Sequence, residues 1–261
     1  MLCHPPQTKG TSLMFDIRTS VRDYMSIATT HECNRQCPFC VDAYRGSCEY
    51  ISGASVAGAL LAAKESKIRD ILLVGGEPTL HPQIVDIAKR CRAAGFRTIL
   101  TTNYSHTEVV KALDGIVNSF NISWYGQAEL PTPEEYRSDI TLSALIFRGQ
   151  LDTKEKLDAF IDKHAGIQMK FSTLTPCNSF CVEHQKTGYL DELPGGRVRL
   201  FNEIEGILYR GCVIKRYDRV ANDRAEQSLK CHVDGTLART WERTALTSQN
   251  IADATGVKAP A

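Results

Sequence analysis

IRDILLVGGEPTLHPQIVDIAKRCRAAGFRTILTTN, residues 68–103, is the stretch that decides the fold. Its opening, IRDILLVGG (68–76), is a continuous apolar run closed by two glycines, as in a strand of a parallel sheet whose faces are covered by helices. HPQIVDIAKRCRAAG (81–95) has proline near its start and glycine at its end, the asymmetry of a helix. FRTILTTN (96–103) is a strand again. Strand, helix and strand in succession make a βαβ unit, which calls for parallel pairing.

The same alternation extends both ways. VRDYMSIATT (21–30) reads as the first strand and SGASVAGALLAAKES (53–66) as a helix rich in alanine and leucine. VVKALDG (109–115) is a helix end and IVNSFNISWYG (116–126) a strand. A loop follows, then a helix at TKEKLDAFIDKHAG (153–166) and a strand at IQMKFSTLT (167–175). That gives five strands up to residue 175. VRLFNEIEGILYRG (198–211) is either the sixth strand or a hairpin turning near Glu205 and Gly206. The expected fold is α/β, a partial (β/α)6 TIM-like barrel over 21–211, with a lead-in at 1–20 and a small C-terminal extension at 212–261.

Lysine and arginine total 31 against 30 for aspartate and glutamate, a balance that gives no sign of a nucleic-acid partner. No apolar run is long enough to span a bilayer, and the N-terminus lacks a basic region leading into an apolar segment. A cytoplasmic protein with no membrane partner is expected. Its ten cysteines are many for a reducing compartment and point to metal ligation more than to disulfides.

Three of those cysteines lie in HECNRQCPFCVDAYRG (31–46), just after the first strand. Cys33, Cys37 and Cys40 have the spacing C-x3-C-x2-C. Zinc sites favour C-x2-C pairs and a closed shell of four, whereas three thiolates can hold three irons of a [4Fe-4S] cube and leave the last iron available. The loop falls at the C-terminal edge of the sheet, where α/β enzymes place their chemistry. His31 and Glu32 stand beside it and are read as loop residues that could tune its charge.

CNRQCPFC resembles the cluster loop of the radical S-adenosylmethionine enzymes, and three later segments agree in order: GGEP (75–78), TTN (101–103) and NISWYG (121–126). The likeness covers roughly residues 21–175. It implies that Cys33, Cys37 and Cys40 ligate a [4Fe-4S] cluster and that S-adenosylmethionine chelates the open iron. It further implies that Phe39 packs near the adenine, and that Gly75, Gly76, Glu77 and Pro78 receive the methionyl ammonium. Asn103 and Ser123 are candidates for the ribose hydroxyls or the methionyl carboxylate, with capping or plain strand roles as the alternative. Trp124 and Tyr125 are candidate walls of the substrate pocket, with core packing as the alternative. The family's reaction forms a 5'-deoxyadenosyl radical that removes a substrate hydrogen, with a flavodoxin- or ferredoxin-type protein as electron donor.

A second group, Cys177, Cys181, Cys212 and Cys231, has the number of thiols for an auxiliary iron-sulfur cluster, and KCHVDGTL (230–237) has the look of such segments. The cysteine usually found a few residues beyond that glycine is replaced here by Arg239 and Thr240. Without metal, a thiol such as Cys181 could donate a hydrogen atom to a substrate radical. The basic run at 210–224, with Arg210, Lys215, Arg216, Arg219 and Arg224, reads as a solvated face or a phosphate or carboxylate site. A small metabolite is the expected substrate. The alternatives are an activating enzyme that makes a glycyl radical on a partner protein, and a non-catalytic metal-binding module.

Overall fold

The computed structural model describes residues 24–41, 48–127, 129–185, 187–199, 205–217 and 228–238. The C-terminal parts of the cysteine stretch (42–47) and of the basic run, including Arg219 and Arg224, lie outside the described residues, as do the lead-in and Arg239 and Thr240.

In chain order the elements are β1 (Tyr24–Ala28), α1 (Gly53–Glu65), β2 (Asp70–Val74), α2 (Ile84–Ala93), β3 (Arg97–Thr102), α3 (Thr107–Leu113) and β4 (Ser119–Ser123). They continue with β5 (Asp139–Ile146), α4 (Lys154–Lys163), β6 (Gln168–Thr173), α5 (Ser179–Glu183), β7 (Gly196–Arg199), β8 (Glu205–Tyr209), β9 (Cys212–Lys215), β10 (Leu229–Cys231) and β11 (Leu237–Ala238). All strands join one sheet in the order β11-β10-β1-β2-β3-β4-β5-β6-β9-β8-β7. From β10 to β9 every neighbouring pair is parallel. Antiparallel hairpins close each end of this run. β1 to β6 are the successive strands of the expected partial barrel, and the sheet remains open.

Local chemistry explains the elements. Ser52 caps α1 by accepting from the Ser55 amide, and Thr153 caps α4 by accepting from Lys156. Apolar residues recur at helical spacing: Val56, Ala59, Leu60 and Ala63 on α1, Ile84, Ile87, Ala88 and Cys91 on α2, and Leu157, Phe160 and Ile161 on α4 are buried. Burying each large aliphatic side chain contributes about 1.5–3 kcal/mol.

The five-strand count up to residue 175 needs correction, because β5 was read as loop. Its sequence, DITLSALI, buries Ile140, Leu142, Ala144 and Ile146 and leaves Thr141, Ser143 and Leu145 partly exposed on the other face. That is the period-two pattern of a half-buried strand, which a search for continuous apolar runs passes over. The segment 198–211 takes the hairpin form: β7 and β8 are antiparallel, with Glu205 opening β8, and the strand beside β6 is β9. Residues 212–215 and 229–231, within the extension, add strands to the same sheet.

The two faces of the middle strands differ. Phe120, Ile122, Leu142 and Phe171 are buried, and Phe160 of α4 meets Phe171 edge-on at 5.8 Å. The alternate residues Asn121, Ser123, Ser143, Lys170 and Ser172 are partly exposed on the face away from this helix. Helices therefore cover one side of these strands, and the polar side looks into a cavity.

Candidate active site

Cys33, Cys37 and Cys40 leave the C-terminal end of β1 in a loop held by backbone bonds to the end of β2. The Gly76 amide donates to the Thr30 carbonyl at 2.7 Å and the Glu77 amide to the Glu32 carbonyl at 2.7 Å. Thr29 donates to the Val74 carbonyl from both its amide and its hydroxyl. This contact is what the glycines serve. A Cβ on Gly75, at φ +150°, would lie 2.4 Å from the Thr30 carbonyl oxygen, and one on Gly76 would lie 2.2 Å from that of Glu32. The close approach expected of the two glycines is thus made to the cysteine loop itself.

Glu77 is 1 % exposed, and its carboxylate gathers four donors. Oε1 accepts from the Thr79 amide and hydroxyl and, at 2.7 Å, from the Thr102 hydroxyl. Oε2 accepts from the Asn103 amide at 2.7 Å. The Asn103 side chain donates to Asn34 Oδ1 at 2.8 Å and accepts from the Ser105 amide. A buried charge with this many donors is well compensated. It ties the ends of β2 and β3 to the cysteine loop. Pro78 opens a buried 3-10 turn that aims the segment.

Opposite this hub, Phe39 stacks on Tyr125 at 6.2 Å with the rings 4° from parallel, and the Arg35 guanidinium lies 4.6 Å above the Tyr125 ring. Burial raises the Tyr125 pKa, and the negative charge of Cys37 acts in the same direction. Burial also raises the Cys33 and Cys37 thiols; neighbouring thiols add to the rise, whereas a hydrogen bond with the Tyr125 side chain draws Cys37 back. All three cysteines, Phe39, the Gly75–Glu77 segment, Asn103, Ser123 and Tyr125 line one cavity of about 260 Å³.

Three thiols bordering one cavity are the donor set of an iron-sulfur cluster with one iron left open. Among the described residues no three His, Cys, Asp or Glu side chains converge on a single ion.

The remaining candidates are not all brought here. Trp124 does not line the cavity, a correction to its expected place on the substrate wall. Strand alternation turns it outward, and its ring packs on Phe160 of α4 at 4.7 Å. Cys177 and Cys181 meet each other, Sγ to Sγ at 3.4 Å, and Asn178 between them donates to the Pro38 carbonyl of the cysteine loop. Cys181 is fully buried, and Cys177 is the exposed member. Cys212 and Cys231 do not join them: they lie on β9 and β10, with six strands between in the sheet. In the basic run, Arg216 is buried and pairs with Asp191 at 3.0 Å, and Arg210 pairs with Asp158 and Asp162 on α4. Sequence reading missed Asn34, Arg35 and Thr102. The first two lie inside the cysteine motif, where a polar residue between ligand-type cysteines is itself a signal.

A model of the Radical SAM superfamily matches residues 27–126. A probable GTP 3',8-cyclase of Saccharolobus islandicus is 33% identical over 81 residues, covering 30% of this chain and 26% of that protein. One from Methanothermobacter marburgensis is 31% identical over 117 residues, covering 43% of this chain and 37% of its own length. The chain therefore matches well under half the length of these relatives. The crystal structure of Streptococcus suis SuiB bound to precursor peptide SuiA superimposes with a TM-score of 0.54 at 13% identity, over 83% of this chain and 58% of that one, a likeness of fold alone. No helix among the described residues is long and apolar enough to cross a membrane. Residues 27–126 are thus similar to the Radical SAM superfamily, whose members use a [4Fe-4S] cluster and S-adenosylmethionine.

Proposed function

We propose that this chain is a radical enzyme in which Cys33, Cys37 and Cys40 hold a [4Fe-4S] cluster and the adjoining cavity binds S-adenosylmethionine. When bound, the pair supplies a 5'-deoxyadenosyl radical able to remove hydrogen from carbon. The observation that carries the reading is that three thiols on the β1 loop and the Glu77 hub on β2 and β3 border one cavity at the C-terminal edge of a parallel sheet.

The chain's own residues then have distinct tasks. Glu77, whose Oε2 carries a single donor among the described residues, accepts the methionyl ammonium. Gly75 and Gly76 let this segment lie against the cysteine loop, and Pro78 fixes its exit. Phe39 and Tyr125 form the aromatic wall nearest the adenine, while Ser123 and Asn103 border the ribose and carboxylate region. Enclosure by this wall keeps water and stray hydrogen donors from the reacting carbon.

The substrate in this reading is a small biosynthetic metabolite, and the electron donor is a flavodoxin- or ferredoxin-type protein of the cytoplasm. The separation of Cys212 and Cys231 from the Cys177–Cys181 pair supports one cluster per chain and hence a redox-neutral outcome, rearrangement or epimerisation, over net oxidation. The test is anaerobic reconstitution with dithionite and S-adenosylmethionine. Formation of 5'-deoxyadenosine, about four irons per chain and loss of activity in Cys37→Ala are expected. An intact cluster that yields no 5'-deoxyadenosine would sink the reading in favour of a non-catalytic module. Glycyl-radical signal on a partner protein would redirect it to an activating enzyme.

A further inference from the structure

Two hydroxyls hold the Glu77 carboxylate, and each is itself held from behind. The Thr102 hydroxyl donates to Glu77 Oε1 at 2.7 Å and accepts from the Tyr104 amide at 3.0 Å. The Thr79 hydroxyl donates to the same Oε1 at 2.6 Å, and His106 Nδ1 stands 3.2 Å from the hydroxyl oxygen. Behind Thr102 is main chain, which cannot change its donor. Behind Thr79 is an imidazole, which can.

A threonine hydroxyl has one proton, and an ionised carboxylate only accepts. Because the Thr79 proton goes to Glu77, the contact with His106 is a hydrogen bond only when Nδ1 carries a proton. A bare Nδ1 would instead compete with Oε1 for the Thr79 proton. A donor in this place fixes the direction of the hydroxyl and strengthens the bond it makes to the carboxylate. Ser105 Oγ lies 3.3 Å from the same Nδ1 and accepts from Asn34 Nδ2 at 2.7 Å. One nitrogen therefore faces both the Glu77 hub and the side chain that follows Cys33.

The position of His106 supports a task outside its own helix. It is the residue preceding α3, where Ser, Thr, Asp or Asn is favoured, and its side chain makes no capping bond. The imidazole turns instead to a buried threonine 27 residues earlier in the chain. Among the described residues Nε2 has no partner, so Nδ1 makes all the hydrogen bonds of the ring.

We propose that His106 is a positioning residue of the cofactor site. With Nδ1 protonated it keeps the Thr79 hydroxyl on Glu77 Oε1, and so fixes the direction from which Oε2 meets the ammonium of bound S-adenosylmethionine. The inference rests on the reading in which Glu77 accepts that ammonium. Oε1 is occupied by three protein donors, and Oε2 is the oxygen turned to the ligand. Without the imidazole the Thr79 hydroxyl is free to rotate, and the carboxylate loses one of its braces.

The test uses the full-length protein reconstituted with its cluster and titrated calorimetrically with S-adenosylmethionine. His106→Leu is expected to weaken binding roughly three- to tenfold, with KM raised and kcat at saturating cofactor unchanged. His106→Asn, whose Nδ2 can stand where Nδ1 does, should restore binding. Thr79→Val should lose as much as His106→Leu, and the double variant no more than either single one, because the imidazole acts through the hydroxyl. Thr79→Ser keeps the hydroxyl and should bind as the wild type does. In protein labelled with 15N-histidine, the imidazole whose signals vanish in His106→Asn is expected to carry its proton on Nδ1 when neutral. Unchanged binding by His106→Leu, additive losses in the double variant, no rescue by His106→Asn, or a neutral ring protonated on Nε2 overturns the positioning role. Any of these with saturable binding by the wild type leaves the cofactor reading intact. A wild-type protein that holds its cluster and binds no S-adenosylmethionine removes both.

Discussion

Asn103 Nδ2 donates to Asn34 Oδ1 at 2.8 Å, so one side-chain bond joins the end of β3 to the residue immediately after Cys33. Because the Asn103 amide also donates to Glu77, the asparagine holds two cavity walls at once. Asn103→Ala removes the bond to the cysteine loop and the one accepted from the Ser105 amide, and leaves the backbone bond to Glu77 in place. We expect a loss of about 0.5–1.5 kcal/mol in stability and a cluster that bleaches faster in air, read from the decay of its visible absorption. Asn34→Ala also removes a bond from its Nδ2 to the Ser105 hydroxyl, so it should bleach faster too, and the double variant should lose less than the sum of the two singles.

Gly76→Ala tests the backbone contact. Its methyl group would meet the Glu32 carbonyl at 2.2 Å, and backbone has no rotamer by which to escape. A destabilisation of about 1–3 kcal/mol is expected by denaturant titration, together with poor iron incorporation. Gly58→Ala on α1, with nothing within 4 Å of the added Cβ, is the control and should be neutral or slightly stabilising.

Adjacent aromatic residues at the end of β4 should behave oppositely. Tyr125 faces the cavity and hydrogen-bonds Cys37, while Trp124 packs on Phe160. Tyr125→Phe is expected to slow cleavage of S-adenosylmethionine by up to about tenfold with little change in stability. Trp124→Ala should lower stability by about 3–5 kcal/mol, and in the fraction that remains folded the rate should be near normal. Equal rate losses in both would mean that strand alternation does not separate their roles.

The thiol of Cys91, fully buried on α2, is pushed up to about 12 by burial. In an unfolded chain it would ionise near pH 8.5 or so. The folded state therefore holds the proton more tightly, and its contribution is complete below about pH 8.5 and lost as pH rises toward 12. Stability should fall in that window, and Cys91→Ala should reduce the slope by about 1.4 kcal/mol per pH unit. Urea unfolding at several pH values between 8 and 10 would show it; parallel slopes for the two proteins would contradict it.

The succession of β1 to β4 and β6 was legible because length, glycine and proline positions and apolar runs agree in IRDILLVGG and HPQIVDIAKRCRAAG. DITLSALI escaped because its polar residues face a cavity, which makes a barrel strand resemble a loop to a reader seeking unbroken hydrophobicity. The three cysteines and GGEP were legible as a motif, but their mutual contact was not: the bonds from Gly76 to Thr30 and from Glu77 to Glu32 span the first βαβ unit. Asn103 was weighed as a cap or a ligand; in the structure it is a brace to Asn34.

The bonds that pin the Thr30 and Glu32 carbonyls come entirely from main-chain amides of the neighbouring strand end. The path of the chain into Cys33 is therefore set by main chain, so side-chain substitutions at Thr30 or Glu32 should leave both bonds in place.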